Sequence, residues 1–104
     1  MNFEKCPVTT TLSYVGGKWK PIILFELRGG PLRTGELTRR IPQVSAKMLT
    51  QQLRQLERDG VVQRTIHQQV PPKVEYSLTP LGRSLRPVMN ALAAWGKARQ
   101  KATK

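Results

Sequence analysis

The stretch Ser45-Ala-Lys-Met-Leu-Thr-Gln-Gln-Leu-Arg-Gln-Leu-Glu-Arg-Asp-Gly60 decides the fold, because it contains a complete amphipathic helix with its start and its end. Leu49, Leu53 and Leu56 recur at i, i+4 and i+7, which places them on one stripe of a helix. The hydroxyl of Ser45 can accept a hydrogen bond from a free N–H group of the first turn. Gly60 suits the position just beyond a helix, where φ is often positive.

The opposite face of this helix is polar and basic. It carries Lys47, Gln51, Arg54 and Arg58. Side chains of these types can hydrogen-bond base edges and phosphates in a DNA major groove. Most polar helix faces are only solvated, so the neighbouring segments have to distinguish a DNA-reading helix from an ordinary surface helix.

Composition favours a polyanionic partner. The chain has 104 residues, and this length predicts one domain over residues 1–104. Its formal net charge is +12 and its pI is near 11.0. So large a basic excess is typical of nucleic-acid binding, and less often of binding to an anionic membrane. A merely solvated basic surface is the weaker interpretation, because the lysines and arginines occur in every segment.

Several classes of site lack the residues they need. One cysteine, Cys6, and one histidine, His67, cannot supply an ordinary zinc site or a disulfide framework. His67 has no acid close in sequence for a Ser-His-Asp arrangement, and no glycine-rich phosphate loop is present. No segment has the length of a membrane span or the core of a signal peptide. We therefore expect a cytoplasmic, non-enzymatic protein without a metal or cofactor.

The segments before Ser45 predict three helices. Cys6 and Pro7 can cap and open the first, and a nearly all-apolar second helix runs over about 18–28. A short third helix runs from about residue 33 to Arg40. Because only a tight turn separates it from the Ser45 helix, residues 33–59 match a helix-turn-helix.

After Gly60 the apolar period changes from helical to two. Two strands are predicted within residues 61–78, separated by a polar, proline-containing tip at 67–72. Such a hairpin after a recognition helix is a wing, which commonly lies against the DNA backbone or minor groove. Arg64 and Lys73 are placed to meet phosphates. The hairpin must also help to close the core.

Thr79-Pro80 opens a last helix, predicted over about 80–98, with a threonine cap and proline at its first position. Pro87 should bend this helix, and the basic tail from Arg99 to Lys104 should be frayed. An apolar seam at heptad-like spacing runs along it and predicts either intramolecular core or a dimer surface. The seam consists of Leu81, Leu85, Val88, Leu92 and Trp95.

The chain resembles the HxlR-type winged helix-turn-helix transcriptional regulators of bacteria over about residues 6–97. The most specific matches are the run Lys-Met-Leu-Thr-Gln-Gln-Leu within the Ser45 helix and the run Val-Glu-Tyr-Ser-Leu-Thr-Pro-Leu-Gly that ends at Gly82. Further matches are Cys6-Pro7, Gly16-Gly17-Lys18-Trp19, Leu37, Asp59-Gly60, Pro71-Pro-Lys and Trp95.

The resemblance implies a mainly α fold with a small antiparallel β-hairpin, a winged helix-turn-helix that dimerises through its terminal helices. Such a homodimer binds a palindromic double-stranded operator with half-sites about 34–36 Å apart and represses or activates a neighbouring gene. It implies no particular small-molecule effector. The expected dimer residues are Val8, Leu12, Leu85, Val88, Leu92 and Trp95.

The resemblance also makes Cys6 a candidate thiol sensor of electrophiles or oxidants. A thiol at a helix N-terminus, beside Lys5, should have a lowered pKa and more thiolate. The ordinary alternative is a small buried hydrophobe.

Within the DNA interface we expect Lys47, Gln51 and Arg54 to read bases. Glutamine suits adenine and arginine suits guanine. Phosphate contacts should come from Ser45, Arg39, Arg40, Arg58, Arg64 and Lys73. Two other functions fit parts of the sequence: a non-specific nucleic-acid packaging protein, and a module that binds another protein through the Leu81–Trp95 seam.

Overall fold

The computed structural model describes residues 5–102, which fold into six helices and one two-stranded antiparallel sheet. The mainly helical fold with a small hairpin is confirmed. No helix among these residues has the length and apolar character needed to cross a membrane. The elements in chain order are α1 (Pro7–Val15), α2 (Trp19–Leu27), α3 (Thr34–Arg40), α4 (Ala46–Arg58), β1 (Val62–His67), β2 (Lys73–Leu78), α5 (Pro80–Arg83) and α6 (Arg86–Ala102).

Both ends of α4 are fixed as its sequence predicts. The Met48 N–H donates to Ser45 Oγ at 3.1 Å, so the serine caps the helix. At the other end the Val61 N–H donates to the Leu56 carbonyl at 3.1 Å and the Gly60 N–H to the Glu57 carbonyl at 3.0 Å. This is a Schellman motif, and Gly60 adopts the positive φ of +78° that it requires.

The core is built around α2 and the leucine stripe of α4. Leu49, Leu53 and Leu56 are at most 1% exposed, so truncating one of them to alanine should cost about 2–5 kcal/mol of stability. Met89 of α6 is also buried, although the predicted seam omits it. The buried hydrophobic residues are Val15, Ile23, Leu24, Leu27, Leu32, Leu37, Ile41, Val44, Leu49, Leu53, Leu56, Val61, Val62, Leu78 and Met89.

The hairpin is anchored at its base and projects at its tip. Its register runs from Val62 opposite Leu78 to His67 opposite Lys73. Val62 and Leu78 are buried, whereas residues 63–66 and 68–72 are exposed. Leu32 adds a short bridge to β2: its N–H donates to the Tyr76 carbonyl at 2.9 Å, and its carbonyl accepts from the Tyr76 N–H at 2.8 Å.

One joint connects α4, the hairpin and α5. The Thr79 hydroxyl donates to the Gly60 carbonyl at 2.6 Å and accepts from the Gly82 N–H at 3.0 Å, and the Thr79 N–H donates to the Val61 carbonyl at 3.1 Å. Gly82 lies so close to Val61 that a Cβ there would overlap the Val61 carbonyl oxygen. The direction of the wing relative to α4 is therefore set by backbone contacts.

The prediction of one bent helix over about 80–98 is wrong, because Ser84 and Leu85 separate α5 from α6. The Leu85 N–H turns to the Gly82 carbonyl at 3.0 Å. Pro87 then stands in the first turn of α6, where its missing N–H and its clash with the residue four positions earlier do no harm. The expected fraying from Arg99 onward is also wrong as far as Ala102, where α6 ends; residues 103 and 104 lie outside the described residues.

Candidate nucleic-acid interface

The helix-turn-helix is held in shape by buried residues in its turn. Ile41 and Val44, between α3 and α4, are 2% and 5% exposed. The Val44 N–H donates to the Ile41 carbonyl at 3.2 Å, which keeps the turn tight. At the start of α3 the Arg33 backbone N–H donates to a Glu36 carboxylate oxygen at 3.0 Å. Helix α3 and the buried turn therefore hold α4 in a fixed position.

The outer face of α4 gathers the predicted base-reading residues on one exposed surface, which we call the α4 face. It contains no acid, and no residue of it forms an ion pair within residues 5–102. Thr50 and Gln55 belong to it and were not predicted, although helical spacing places both beside Gln51 and Arg54. The α4 face consists of Ala46, Lys47, Thr50, Gln51, Arg54, Gln55 and Arg58.

The predicted backbone contacts near α4 differ in how free they are. Arg39 is exposed, whereas Arg40 Nη1 lies 3.5 Å from Glu26 Oε1 of α2. This exposed pair contributes little to stability, but the Glu26 carboxylate partly neutralises the charge of Arg40. The Ser45 oxygen accepts the cap hydrogen bond, and its hydroxyl proton remains able to donate to a phosphate.

Three titratable side chains of the wing meet in a group that we call the wing cluster: His67, Lys73 and Glu75. His67 Nε2 lies 2.7 Å from Glu75 Oε1, and Lys73 Nζ lies 3.4 Å from Glu75 Oε2. The hydrogen bond from His67 first, and then the charge of Lys73, lower the pKa of Glu75 against the opposing effect of burial. Sequence proximity misses this contact because it depends on the hairpin register.

Arg64 is the wing cation outside this cluster. It is exposed and stands opposite Tyr76 in the register, so side-chain alternation places it on the other face of the hairpin. The two predicted phosphate contacts of the wing therefore differ, because Lys73 already has an acidic partner and Arg64 has none among the described residues.

Cys6 occupies the N-cap position of α1, directly before Pro7, as predicted. The backbone N–H groups of Thr9 and then of Val8 lower the pKa of its thiol, and burial acts in the opposite direction. The cause is the donor-rich first turn of a helix, which stabilises a thiolate. The side chain is half-buried, so a small reagent can reach it.

The predicted dimer residues fall into two groups. Val8, Leu12, Leu92 and Trp95 are 54–70% exposed. Leu85 and Val88 are instead half-buried and pack against the core of their own chain. The seam on the last helix is therefore partly intramolecular, and the exposed members of the predicted dimer set lie on α1 and in the middle of α6.

The family follows from comparison of the whole chain with known proteins. Residues 14–104 match the model of the HxlR-like helix-turn-helix family. The chain belongs to this family. A relative from Bacillus subtilis (strain 168), the uncharacterized HTH-type transcriptional regulator YdeP, is 53% identical over 96 residues, which are 92% of this chain and 75% of that protein.

Solved structures of transcriptional regulators are also similar to this chain in sequence and fold. The redox regulator HypR in its oxidized form has 48% sequence identity and a TM-score of 0.86, covering 89% of this chain and 96% of that chain. The reduced form of the transcriptional regulator YodB from B. subtilis has 37% identity and a TM-score of 0.77, covering 86% and 89%. The HxlR-like chain therefore has the winged helix-turn-helix fold of transcriptional regulators, and the role of its relatives is not an enzymatic one.

Proposed function

We propose that this HxlR-like chain is a homodimeric transcriptional repressor that binds a palindromic double-stranded DNA operator. The observation that carries the proposal is the α4 face, an exposed surface of amide, hydroxyl and cationic side chains without an acid. Non-specific packaging would need positive charge alone. It would not need a capped helix that projects Gln51 between Lys47 and Arg54.

Base reading is assigned to Lys47, Gln51 and Arg54. A glutamine can bond adenine through two atoms, and an arginine can bond guanine in the same way, so these side chains can distinguish base pairs. Their position on the exposed side of α4, opposite a fully buried leucine stripe, supports this role.

Phosphate contacts are assigned to the periphery of the α4 face and to the wing. Such contacts fix register and orientation without reading sequence. Arg58 lies in the last turn of α4, away from the centre of the α4 face. The complete set is Ser45, Arg39, Arg40, Arg58, Arg64 and Lys73.

Dimerisation is assigned to the exposed apolar side chains of α1 and α6. Val8 and Leu12 lie on one helix and Leu92 and Trp95 on the other, and these large side chains gain most from removal from water. Leu85 and Val88 support α6 from inside. A twofold dimer would present two α4 helices to half-sites about 34–36 Å apart.

Selection of bound duplexes from a random DNA library tests this function. We expect one palindromic sequence to be enriched and to bind at least about 1,000-fold more tightly than a scrambled duplex at physiological salt. A ratio near one would instead support packaging. A monomeric mass by light scattering at micromolar concentration would contradict the homodimer and favour a partner protein on the α6 surface.

Cys6 is proposed as a thiol sensor of electrophiles or oxidants. HypR is named a redox regulator, and YodB has been solved after diamide treatment. In this chain the support is the half-buried thiol at the N-terminus of α1, with its lowered pKa. Because α1 also carries Val8 and Leu12, modification of Cys6 would act beside the proposed dimer surface and change the balance between DNA-competent and incompetent dimers.

Alkylation kinetics and DNA release test the sensor together. Since the thiolate is the nucleophile and the pKa of Cys6 is lowered, the rate should reach half its maximum at a lower pH than the rate for free cysteine measured in parallel. Diamide should release operator from the wild-type protein and leave Cys6→Ser bound. Release from Cys6→Ser would show that Cys6 is not the sensor.

A further inference from the structure

The wing cluster gives both oxygens of one carboxylate a separate partner. Glu75 Oε1 is 2.7 Å from His67 Nε2, and Glu75 Oε2 is 3.4 Å from Lys73 Nζ. A carboxylate can only accept hydrogen bonds, so the imidazole proton resides on Nε2 in the neutral ring. The remaining ring nitrogen, Nδ1, is then the atom that binds a second proton.

The wing cluster lies at the outer end of the hairpin. His67 and Lys73 are the last register pair before the tip, and alternation places Glu75 on the same face and Arg64 on the opposite one. Helices α2, α3, α4 and α5 pack against the hairpin. Within residues 5–102 none of their charged side chains pairs with the cluster: Arg40 bonds Glu26, and Arg83 donates to the Leu78 carbonyl at the base.

The charge of the cluster depends on one proton. With a neutral His67, the charges of Lys73 and Glu75 cancel. A second proton on His67 gives the cluster one net positive charge and a new Nδ1–H donor, while the Nε2–H bond to Glu75 is kept. Imidazole is the side chain that most often serves as a proton-dependent switch in proteins near neutral pH.

We propose that His67 is a DNA-backbone contact of the wing, oriented by Glu75, and that it binds a phosphate in its protonated form. This rests on the proposed function, since it needs the wing to lie on DNA. Operator binding then takes up a proton. By reciprocity of linked equilibria, lowering the pH increases DNA affinity by the same factor by which DNA favours protonation.

Salt dependence reports the contact directly. Each phosphate neutralised by a protein cation contributes about 0.9 to the slope of log affinity against log salt. We therefore expect the slope of the wild-type protein to be steeper by about 0.9 at pH 5.5 than at pH 8.0. The sequence contains one histidine, and a Cys6→Ser background removes the thiol as a second titrating side chain.

The experiment measures binding to the duplex enriched from the random library, by fluorescence anisotropy over a salt series at the two pH values. His67→Gln keeps a polar side chain but cannot become charged, so its slope should be the same at both. Gln69→Ala, an exposed change at the tip, is the matched control and should keep the full pH effect. Thermal melting of each variant checks that the fold is intact.

Glu75→Gln tests the orienting role separately. Its amide oxygen can still accept from Nε2–H, but it gives a charged imidazole no counter-charge, so the slope difference should shrink. Affinity at pH 8.0 should rise, because an acid beside the phosphates is lost and Lys73 is released. A purely structural role would lower affinity at both pH values and leave the slopes unchanged.

Three results would overturn the proposal: a wild-type slope independent of pH, a pH effect retained in full by His67→Gln, or a Glu75→Gln protein that behaves as the structural role requires. Failure of the proposed function looks different, because then no duplex would be enriched and no specific complex would form at either pH.

Discussion

The two regions of this protein that we propose to contact DNA, the α4 face and the wing, differ in how their charges are paired. On the α4 face Lys47, Arg54 and Arg58 form no ion pair within the described residues. On the wing Glu75 holds Lys73 and His67 together. The helix offers ready cations on a rigid scaffold, whereas the wing offers a cation whose charge is partly cancelled by an acid.

This difference suits the two regions to different roles: base recognition by the α4 face and adjustment of phosphate affinity by the wing. Side chains that must discriminate bases gain from a fixed backbone, because a bidentate hydrogen bond tolerates little displacement. Phosphate contacts depend on charge and tolerate small shifts, so a titratable cluster can tune them. Mutations at the joint, on the α4 face and on the wing should therefore have decreasing and qualitatively different effects.

Gly82→Ala should have the largest effect, because it damages the joint between the two regions. The new Cβ would overlap the Val61 carbonyl, and backbone cannot move aside as a flexible side chain can. We expect a loss of about 3 kcal/mol in the free energy of unfolding, measured by urea denaturation. Gly35→Ala is the control, because its Cβ would make only ordinary contact with Arg39 and should change stability by less than about 1 kcal/mol.

Arg54→Ala should leave stability unchanged and weaken operator binding by about 1–3 kcal/mol. The variant should also lose its discrimination between bases at one base pair of each half-site, because a bidentate contact to one base is removed. Competition binding with singly substituted operators measures this. A uniform loss across all duplexes would show that Arg54 contacts phosphate, in which case the α4 face would differ less from the wing than we propose.

Lys73→Ala should have the smallest effect, a weakening that is equal for every sequence. Removing one phosphate contact should reduce the salt slope by about one unit at most. Arg64→Ala gives the comparison within the wing, since Arg64 has no acidic partner among the described residues and should account for at least as much of the slope. Lys101→Ala, near the end of α6, should leave the slope unchanged. A decrease equal to that of Lys73→Ala would show that both lysines act only through the net charge of the protein, and not through a phosphate contact.

Local signals in the sequence predicted the DNA-binding part of the fold well. The Ser45 cap, the positive φ of Gly60 and the buried leucine stripe of α4 depend on residues within one helix and its flanks. The hairpin follows from its change of period. The four residues predicted for the outer face of this helix all lie on the α4 face, because helical geometry alone decides which side chains share a side, whereas Ala46, Thr50 and Gln55 were not predicted.

Contacts between distant segments were not predictable in this way. The bond between His67 and Glu75 depends on strand register, and the pair Arg40–Glu26 depends on how α2 packs beside α3. The break at Ser84 and Leu85 was missed because the apolar spacing continues across it. Met89, outside that spacing, is the residue of α6 that the core buries.

The joint has a consequence for engineering this scaffold. Val61 completes the Schellman motif of α4 and accepts the hydrogen bond that starts the return from the hairpin, so a residue inserted there would rotate the wing about the helix. Residues 68–72 form none of the hydrogen bonds of the joint, so their exposed loop determines only the length of the wing and the side chains at its tip. A foreign hairpin should therefore be grafted at Gln63 and Ser77, where the strands pair side by side, and not at Gly60. Exchanging wings in this way should change the affinity for DNA and its salt dependence, while the base-reading residues of α4 keep their positions.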